Sequence, residues 1–258
     1  MKKLTVFCAA ACLAASAAAQ NHPDLHEVLD RQKGRNLIEI PKGTYTLDVR
    51  NNGPYKFHNL TDVHINGNGS TVICNNQEQA FSFYNCVRVE LRDLTIDYDP
   101  LCFTQGEITA VAEDGSWFDV RIDEGYPVTG LAANRVQFYD PQTRLLKRNS
   151  ITTYTSNYSA LKQLGHNLFR AVKNGTWSAG EQVGDLVVMD VKTDKPNAGV
   201  HTVMLNKCYN TKLENVTVYG SNTFSFFEKE GYANEYRNCV VDRGPMPQGI
   251  RPRLRSGN

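Results

Sequence analysis

Apolar residues in this chain fall largely at every second position, in short runs broken by Asn, Asp and Gly. The stretch FSFYNCVRVELRDLTIDYDP, Phe81 to Pro100, places Val89 and Leu91 two apart, then Leu94 and Ile96. That is the period of a strand with one buried face. The rhythm returns in VMLNKCYNTKLENVTVYG, Val203 to Gly220. Aligning Cys86 with Cys208 puts Leu91 on Leu213, Leu94 on Val216 and Ile96 on Val218. Earlier, FHNLTDVHINGNGSTVI sets Asn59, Val63 and Ile65 on Asn85, Val89 and Leu91. Later, EYRNCVVDRG sets Tyr236, Asn238, Cys239 and Val241 on Leu213, Asn215, Val216 and Val218.

The offsets predict the architecture. Ile65 and Leu91 are 26 residues apart, and Leu213 and Tyr236 are 23 apart. Both are solenoid periods. A single coil of short strands cannot bury its own apolar face. Stacking coils at about 4.8 Å does so, and turns the matched Cys and aliphatic positions into interior columns. The expected fold is therefore all-β, a parallel β-helix. A leucine-rich repeat would need a denser Leu framework. Upstream, HPDLHEVLDRQ carries Leu25, Val28 and Leu29 on one helical face, suited to capping the open end of the stack. LIEIPKGTY, Leu37 to Tyr45, reads as strand, turn, strand.

Leu91 and Leu213 lie 122 residues apart, where one coil accounts for 23 to 26, so 96 to 99 residues are left over. A module is inserted between neighbouring coils, between about Thr104 and Gly199. GEITAVAEDGSWFDVRID is two alternating runs around Asp114-Gly115, a hairpin signal. NRVQFYD and GDLVVMDVK are further strands, and NLFRAVKNGTWSAG turns at Asn174-Gly175. The module is expected to be an antiparallel β-barrel or sandwich. The resulting layout is 1–19 leader, 20–104 cap and first coils, 105–199 module, and 200–258 resumed coils.

Composition refines this picture in two places. The 258 residues carry a net charge of +1, which gives no footing for nucleic acid or an anionic membrane surface. Lys2 and Lys3 precede an apolar run that ends at Ala17-Ala18-Ala19. This predicts a signal peptide cleaved after Ala19 and a secreted or periplasmic product. The run is too short for a transmembrane segment. Lipid attachment at Cys12 lacks the upstream Leu, since residues 9 to 11 are all Ala. Beyond Ala19 stand Cys74, Cys86, Cys102, Cys208 and Cys239. The number is odd and the spacings fit no zinc pattern, so packed thiols are expected in place of a disulfide framework.

The stretches IEIPKGTY, NCVRVELRDLTIDYD and KCYNTKLENVTVYG resemble the pectin-lyase-like superfamily of secreted right-handed parallel β-helices. The insertion following DYDPLCFTQGEI resembles the layout of glycoside hydrolase family 110, the α-1,3-galactosidases. The resemblance implies a carbohydrate partner and hydrolysis by paired acids, with no cofactor. In that family the acids lie in an Ala-Asp-Gly stretch and, one coil later, in an Asp-Asp pair. Aligning GSNTFSFFE with the final SGN sets Ser256, Gly257 and Asn258 on Gly220, Ser221 and Asn222. The first such Asp is then expected beyond Asn258, as if this were the front of a longer enzyme. Similar coils serve polysaccharide lyases and non-catalytic glycan-binding surface proteins, so those functions stay open.

Several residues are candidates for chemistry. Asp97 and Asp99 share one strand face and could form the acid pair of a glycosidase, although Asp also suits a strand end leading into a turn. The expected substrate-binding set is Glu228, Phe224, His201 and Arg243. Glu228 could bind sugar hydroxyls or solvate a turn. Alternation sends Phe224 and Phe226 to one face and Phe227 to the other, either as a sugar-stacking platform or as core. His201 stands where the coils resume, and Arg243 could hold an acidic sugar or pair with Asp242. No convergent carboxylates suggest calcium. NGNGS, Asn66 to Ser70, reads as a β-turn and not a phosphate loop, since no helix or Lys follows it.

Overall fold

The computed structural model describes residues 22–191, 201–221 and 223–254; the expected signal peptide lies outside them. The chain opens with helix α1 (Leu25–Asp30) and strands β1 (Leu37–Glu39) and β2 (Thr44–Leu47). A helical turn α2 (Val49–Asn52) leads to β3 (Tyr55–His58), β4 (Thr61–Cys74), β5 (Phe81–Tyr84) and β6 (Val87–Tyr98). Seven strands follow: β7 (Phe103–Val111), β8 (Trp117–Ile122), β9 (Leu131–Tyr139), β10 (Thr153–Tyr154), β11 (Tyr158–Gln163), β12 (Leu168–Lys173) and β13 (Leu186–Val191). The last are β14 (Val203–Asn206), β15 (Lys212–Tyr219), β16 (Phe226–Lys229), β17 (Glu235–Arg237) and β18 (Val240–Asp242).

Outside the central block every pairing is parallel, and the strands wind into a β-solenoid. One face runs β3-β5-β14-β16. A second runs β1-β4-β6-β15-β17, and the far halves of the long strands pair with β2 and β18. The observed register is the expected one: Ile65 on Leu91, Leu91 on Leu213 and Leu213 on Tyr236. Ile38 extends that column at the front. Ile38, Ile65, Leu91 and Leu213 are all buried, while Tyr236 on the last rung is 41% exposed. Val72, Ile96, Val218 and Val241 repeat the pattern on the next face, with only Val241 exposed.

The corners recur with the strands. Three sets of residues sit at positive φ in successive coils: Asn59, Asn85, Lys207, Glu230; Asp62, Arg88, Asn210, Ala233; and Asn68, Asp93, Asn215, Asn238. Asn and Asp enter this left-handed region most readily among residues with a side chain, so their recurrence marks where each coil turns. They also bond upward. Asn85 Nδ2 donates to Asn59 Oδ1 at 2.8 Å, Asn215 Nδ2 to Asp93 Oδ1 at 2.8 Å, and Arg88 pairs with Asp62 at 2.6 Å. The NGNGS stretch proves to be a bulge within β4, not a turn between strands. The register with β6 shifts between Asn66 and Ser70, and this accommodates the extra residues of a longer coil.

Helix α1 covers the front of the stack. Asp24 caps it through a bond from His26 N, and Leu25 and Leu29 are buried. The five cysteines among the described residues are free, and all but Cys239 are buried. Cys86 and Cys208 hold matching positions in successive coils, and their thiols donate to backbone carbonyls, Cys86 to Phe57 O at 3.0 Å and Cys208 to Asn206 O at 3.5 Å.

The inserted block is a single antiparallel sheet in the order β10-β9-β13-β7-β8-β12-β11. Its two edge strands, β10 and β11, are joined by only Thr155–Asn157, so the sheet curls until its edges approach. The hairpin expected at Asp114-Gly115 joins β7 to β8, with Gly115 at φ 74. Phe118, Phe138, Val188 and Phe169 fill its interior. The described part of the insertion ends at Val191, because 192–200 lie outside the described residues. The chain leaves and rejoins the solenoid at one place, where the Tyr98 hydroxyl meets Thr202 Oγ1 at 2.8 Å. Val203 then pairs with Phe81, as if the intervening residues were not there.

After β18 the chain leaves the stack and crosses to the inserted sheet. Met246, Ile250 and Leu254 pack against its core. Gln105 Nε2 donates to Pro252 O at 3.0 Å, and Leu254 N donates to Gln105 Oε1 at 2.8 Å. The Tyr126 hydroxyl donates to Arg251 O at 2.8 Å. Arg253 reaches back to the solenoid and forms a two-pronged ion pair with Asp97, at 2.7 and 3.0 Å.

Candidate functional site

The outer face of the β3-β5-β14-β16 sheet gathers most of the chemistry. Inward positions alternate with outward ones along each strand, so register sets which side chains meet. Lys56, Ser82, Met204 and Phe227 form one outward row, and His58, Tyr84, Asn206 and Lys229 the next. At the end where the solenoid resumes, the His201 ring stacks on Phe227 with centroids 4.0 Å apart and planes 21° apart. Phe224 lies 5.3 Å from His201 and 5.9 Å from Phe227, nearly parallel to Phe227. Phe224 is 46% exposed. The three rings make a continuous aromatic surface open to solvent on one side.

His201 is held in place through Nδ1, 2.9 Å from Thr223 Oγ1. Burial pushes its imidazole below the ordinary histidine range, so near neutral pH the platform carries no charge. Farther along the face, His58 Nε2 lies 3.2 Å from Ser82 Oγ. The Tyr84 ring packs 5.6 Å from His58. Asn206 Oδ1 is buried there without a hydrogen-bond partner. The arrangement offers flat apolar rings beside a few neutral polar groups, which suits a ligand with one C–H face and hydroxyls at its edge.

The four expected binding residues do not converge. His201 and Phe224 belong to the platform. Glu228 follows Phe227 on the strand and therefore faces the other way, in the interior column of Leu205. Its rung is the last among the described residues, which leaves it exposed, and it accepts from Asn234 Nδ2 at 2.8 Å and the Tyr236 hydroxyl at 3.3 Å. Burial and this carboxylate push the Tyr236 phenol up. Arg243 stands at the junction with the inserted sheet, where it donates to Arg144 O at 3.3 Å. Its own backbone N–H, not its guanidinium, bonds to Asp242 Oδ1, at 2.6 Å.

Two expectations about orientation change. Phe224 and Phe226 do not share a face: β16 begins at Phe226, so strand alternation does not reach back to Phe224. Phe226 packs against the solenoid core while Phe224 joins Phe227 outside. Asp97 and Asp99 do not form an acid pair either. Asp97 is buried against Arg253 and Asp99 is exposed beside a cis peptide bond to Pro100. Met204, Asn206 and Tyr84 were not singled out from sequence, although the alternation of FSFY and VMLN was enough to turn them outward.

No protein-family model matches this chain, and no curated protein is significantly similar to it. Among the described residues no helix is long and apolar enough to cross a membrane.

Proposed function

We propose that this protein is an exported, carbohydrate-binding member of the right-handed, pectin-lyase-like β-helices, which lays a glycan across the outward rings of His201, Phe227 and Phe224. One observation carries the reading: the parallel rings of Phe227 and His201, 4.0 Å apart, continue into an exposed Phe224. Pyranose rings present a C–H face that stacks on such surfaces. Ring stacking of this kind is a binding interaction, and binding is therefore the first reading.

A second reading keeps the enzyme. Insertion of an antiparallel sheet between adjacent coils is the layout that suggested a family 110 α-galactosidase, in which the same face would hold the sugar during hydrolysis. The two readings share one test. Titration of the full chain with α-galactosides and with a panel of neutral and acidic oligosaccharides, followed by NMR, is expected to perturb the rings of Phe224, Phe227 and His201. Losing one stacked ring through Phe227→Ala should weaken binding about two- to tenfold. Incubation with the same α-galactosides is expected to release no free sugar. Binding that ignores Phe227→Ala, or the lack of binding to every glycan in the panel, would refute the proposal. Sugar release would select the hydrolase reading. Export is checked separately, since the secreted product is expected to begin at Gln20.

A further inference from the structure

Guanidinium groups gather where the chain after β18 crosses the inserted sheet. Arg144, in the turn between β9 and β10, and Arg243, just after β18, are both half-buried. Arg144 Nη2 donates to Pro252 O at 2.7 Å, and Arg243 Nη2 donates to Arg144 O at 3.3 Å. Each side chain is thus held in place by a backbone carbonyl from a distant segment. Arg251, next to Pro252, brings a third cation to the same place.

The acids nearby are engaged elsewhere. Asp140 Oδ1 accepts from Gln142 N at 3.0 Å and Thr143 N at 2.7 Å, and Asp242 Oδ1 accepts from the backbone N–H of Arg243 at 2.6 Å. Asp123 and Glu107 pair with Arg251, at 3.0 and 3.4 Å, and Asp97 pairs with Arg253. Among the described residues, neither Arg144 nor Arg243 forms an ion pair. Burial, and then the charges of Arg251 and Arg243, press the Arg144 guanidinium below its ordinary range, and Tyr126 and Asp123 offset this only in part. A guanidinium carries five donors, and each of these two gives one to the protein. Like charges held together on a half-buried surface, with donors left over, call for an anion between them.

We propose that Arg144 and Arg243 form a binding site for an oxyanion – a sulfate, phosphate or carboxylate group on a small ligand – held between the inserted sheet and the chain that follows β18. A guanidinium fork matches two oxygens of such a group, and two forks from different segments can close on it together. The bound anion relieves the repulsion between the two arginines and ties the β9–β10 turn to the segment after β18. The site shares no residue with the aromatic platform and does not depend on the glycan-binding reading.

The test is calorimetric titration of the full chain with sodium sulfate, inorganic phosphate and glucuronate in turn, at an ionic strength held constant with chloride. One-to-one binding of at least one of the three is expected, and the tightest of them tells which oxyanion the site prefers. In a nitrogen–proton correlation spectrum, binding should move the side-chain Nε–Hε signals of Arg144 and Arg243. The signal of Arg88, paired with Asp62 on the solenoid, should stay in place. Arg243→Gln should weaken binding about tenfold or more. Arg243→Lys, which keeps the charge and loses the fork, should fall between that variant and wild type. Limited proteolysis checks that residues 244–254 stay docked in both variants; if they come free, the wild-type spectrum decides. Failure of all three anions to bind, signals that move equally with chloride, or affinity unchanged in a docked Arg243→Gln would overturn the proposal. Glucuronate that moved the platform rings and neither arginine would also count against this site.

Discussion

The ion pair between Asp97 and Arg253 is where the solenoid, the inserted sheet and the C-terminal segment are tied together. Asp97 lies at the end of β6, and Arg253 donates two hydrogen bonds to it, at 2.7 and 3.0 Å. Only 6% of the Arg253 side chain and 12% of the Asp97 side chain are exposed. Arg253 Nε is also 3.4 Å from Met246 Sδ, so an unpaired guanidinium would face sulfur and carbon, not water. Asp97→Ala strands that charge. Breaking a buried pair from one side costs about 3–5 kcal/mol, against a total folding stability of about 5–15 kcal/mol. Replacing both partners by apolar residues of similar volume, Asp97→Leu with Arg253→Met, removes the stranded charge and should recover most of the loss. Urea unfolding followed by tryptophan fluorescence and by circular dichroism measures both variants, and limited proteolysis shows whether residues 244–254 have come free. If Asp97→Ala cost less than about 1 kcal/mol, the pair would be worth no more than a surface bridge, and its role as a clamp would be wrong.

Three further outcomes follow from burial. Leu213 is fully buried between Leu91 and Tyr236, and Leu213→Ala should destabilise by about 2–5 kcal/mol in the same unfolding experiment. Burial pushes the Asp190 carboxyl from its ordinary 3.8 up to about 6. The folded state then holds that proton more tightly than the unfolded one, so the stabilisation is complete below about pH 4 and is lost as pH rises through about 6. Asp190→Asn should flatten this part of the stability–pH curve, and an unchanged curve would contradict it. Cys74, Cys86, Cys102 and Cys208 are buried, and burial also pushes the Cys74 and Cys102 thiols well up, so among the five described cysteines a thiol reagent near neutral pH should label no more than the partly exposed Cys239 in folded protein and all five after unfolding.

The coil register was legible because the solenoid writes it more than once. Leu91 and Leu213 could be matched across 122 residues by the alternation on either side and by Cys86 and Cys208. The insertion followed from the same offset, and its first hairpin from Asp114-Gly115. What stayed hidden depends on chain segments that meet without any local pattern. Arg253 reaches Asp97 across 156 residues, and nothing near either residue announces the pair, so Asp97 kept the look of a catalytic acid. Arg243 finds Arg144 in the same way. At the platform the difficulty was a boundary. Alternation is a property of a strand, and Phe224 lies two residues before β16 begins. Glu228 was expected to meet sugar hydroxyls or solvate a turn, and its interior register opposite Leu205 emerges only from the pairing of β14 with β16.

The central claim is that residues on either side of the insertion are stacked neighbours. Methyl-to-methyl NOEs in a deuterated sample labelled at Leu and Val measure this directly. Cross-peaks joining Leu91 to Leu213 and Leu94 to Val216 are the expected result. Assigned spectra in which those methyls see only neighbours on their own side of the insertion would contradict the account.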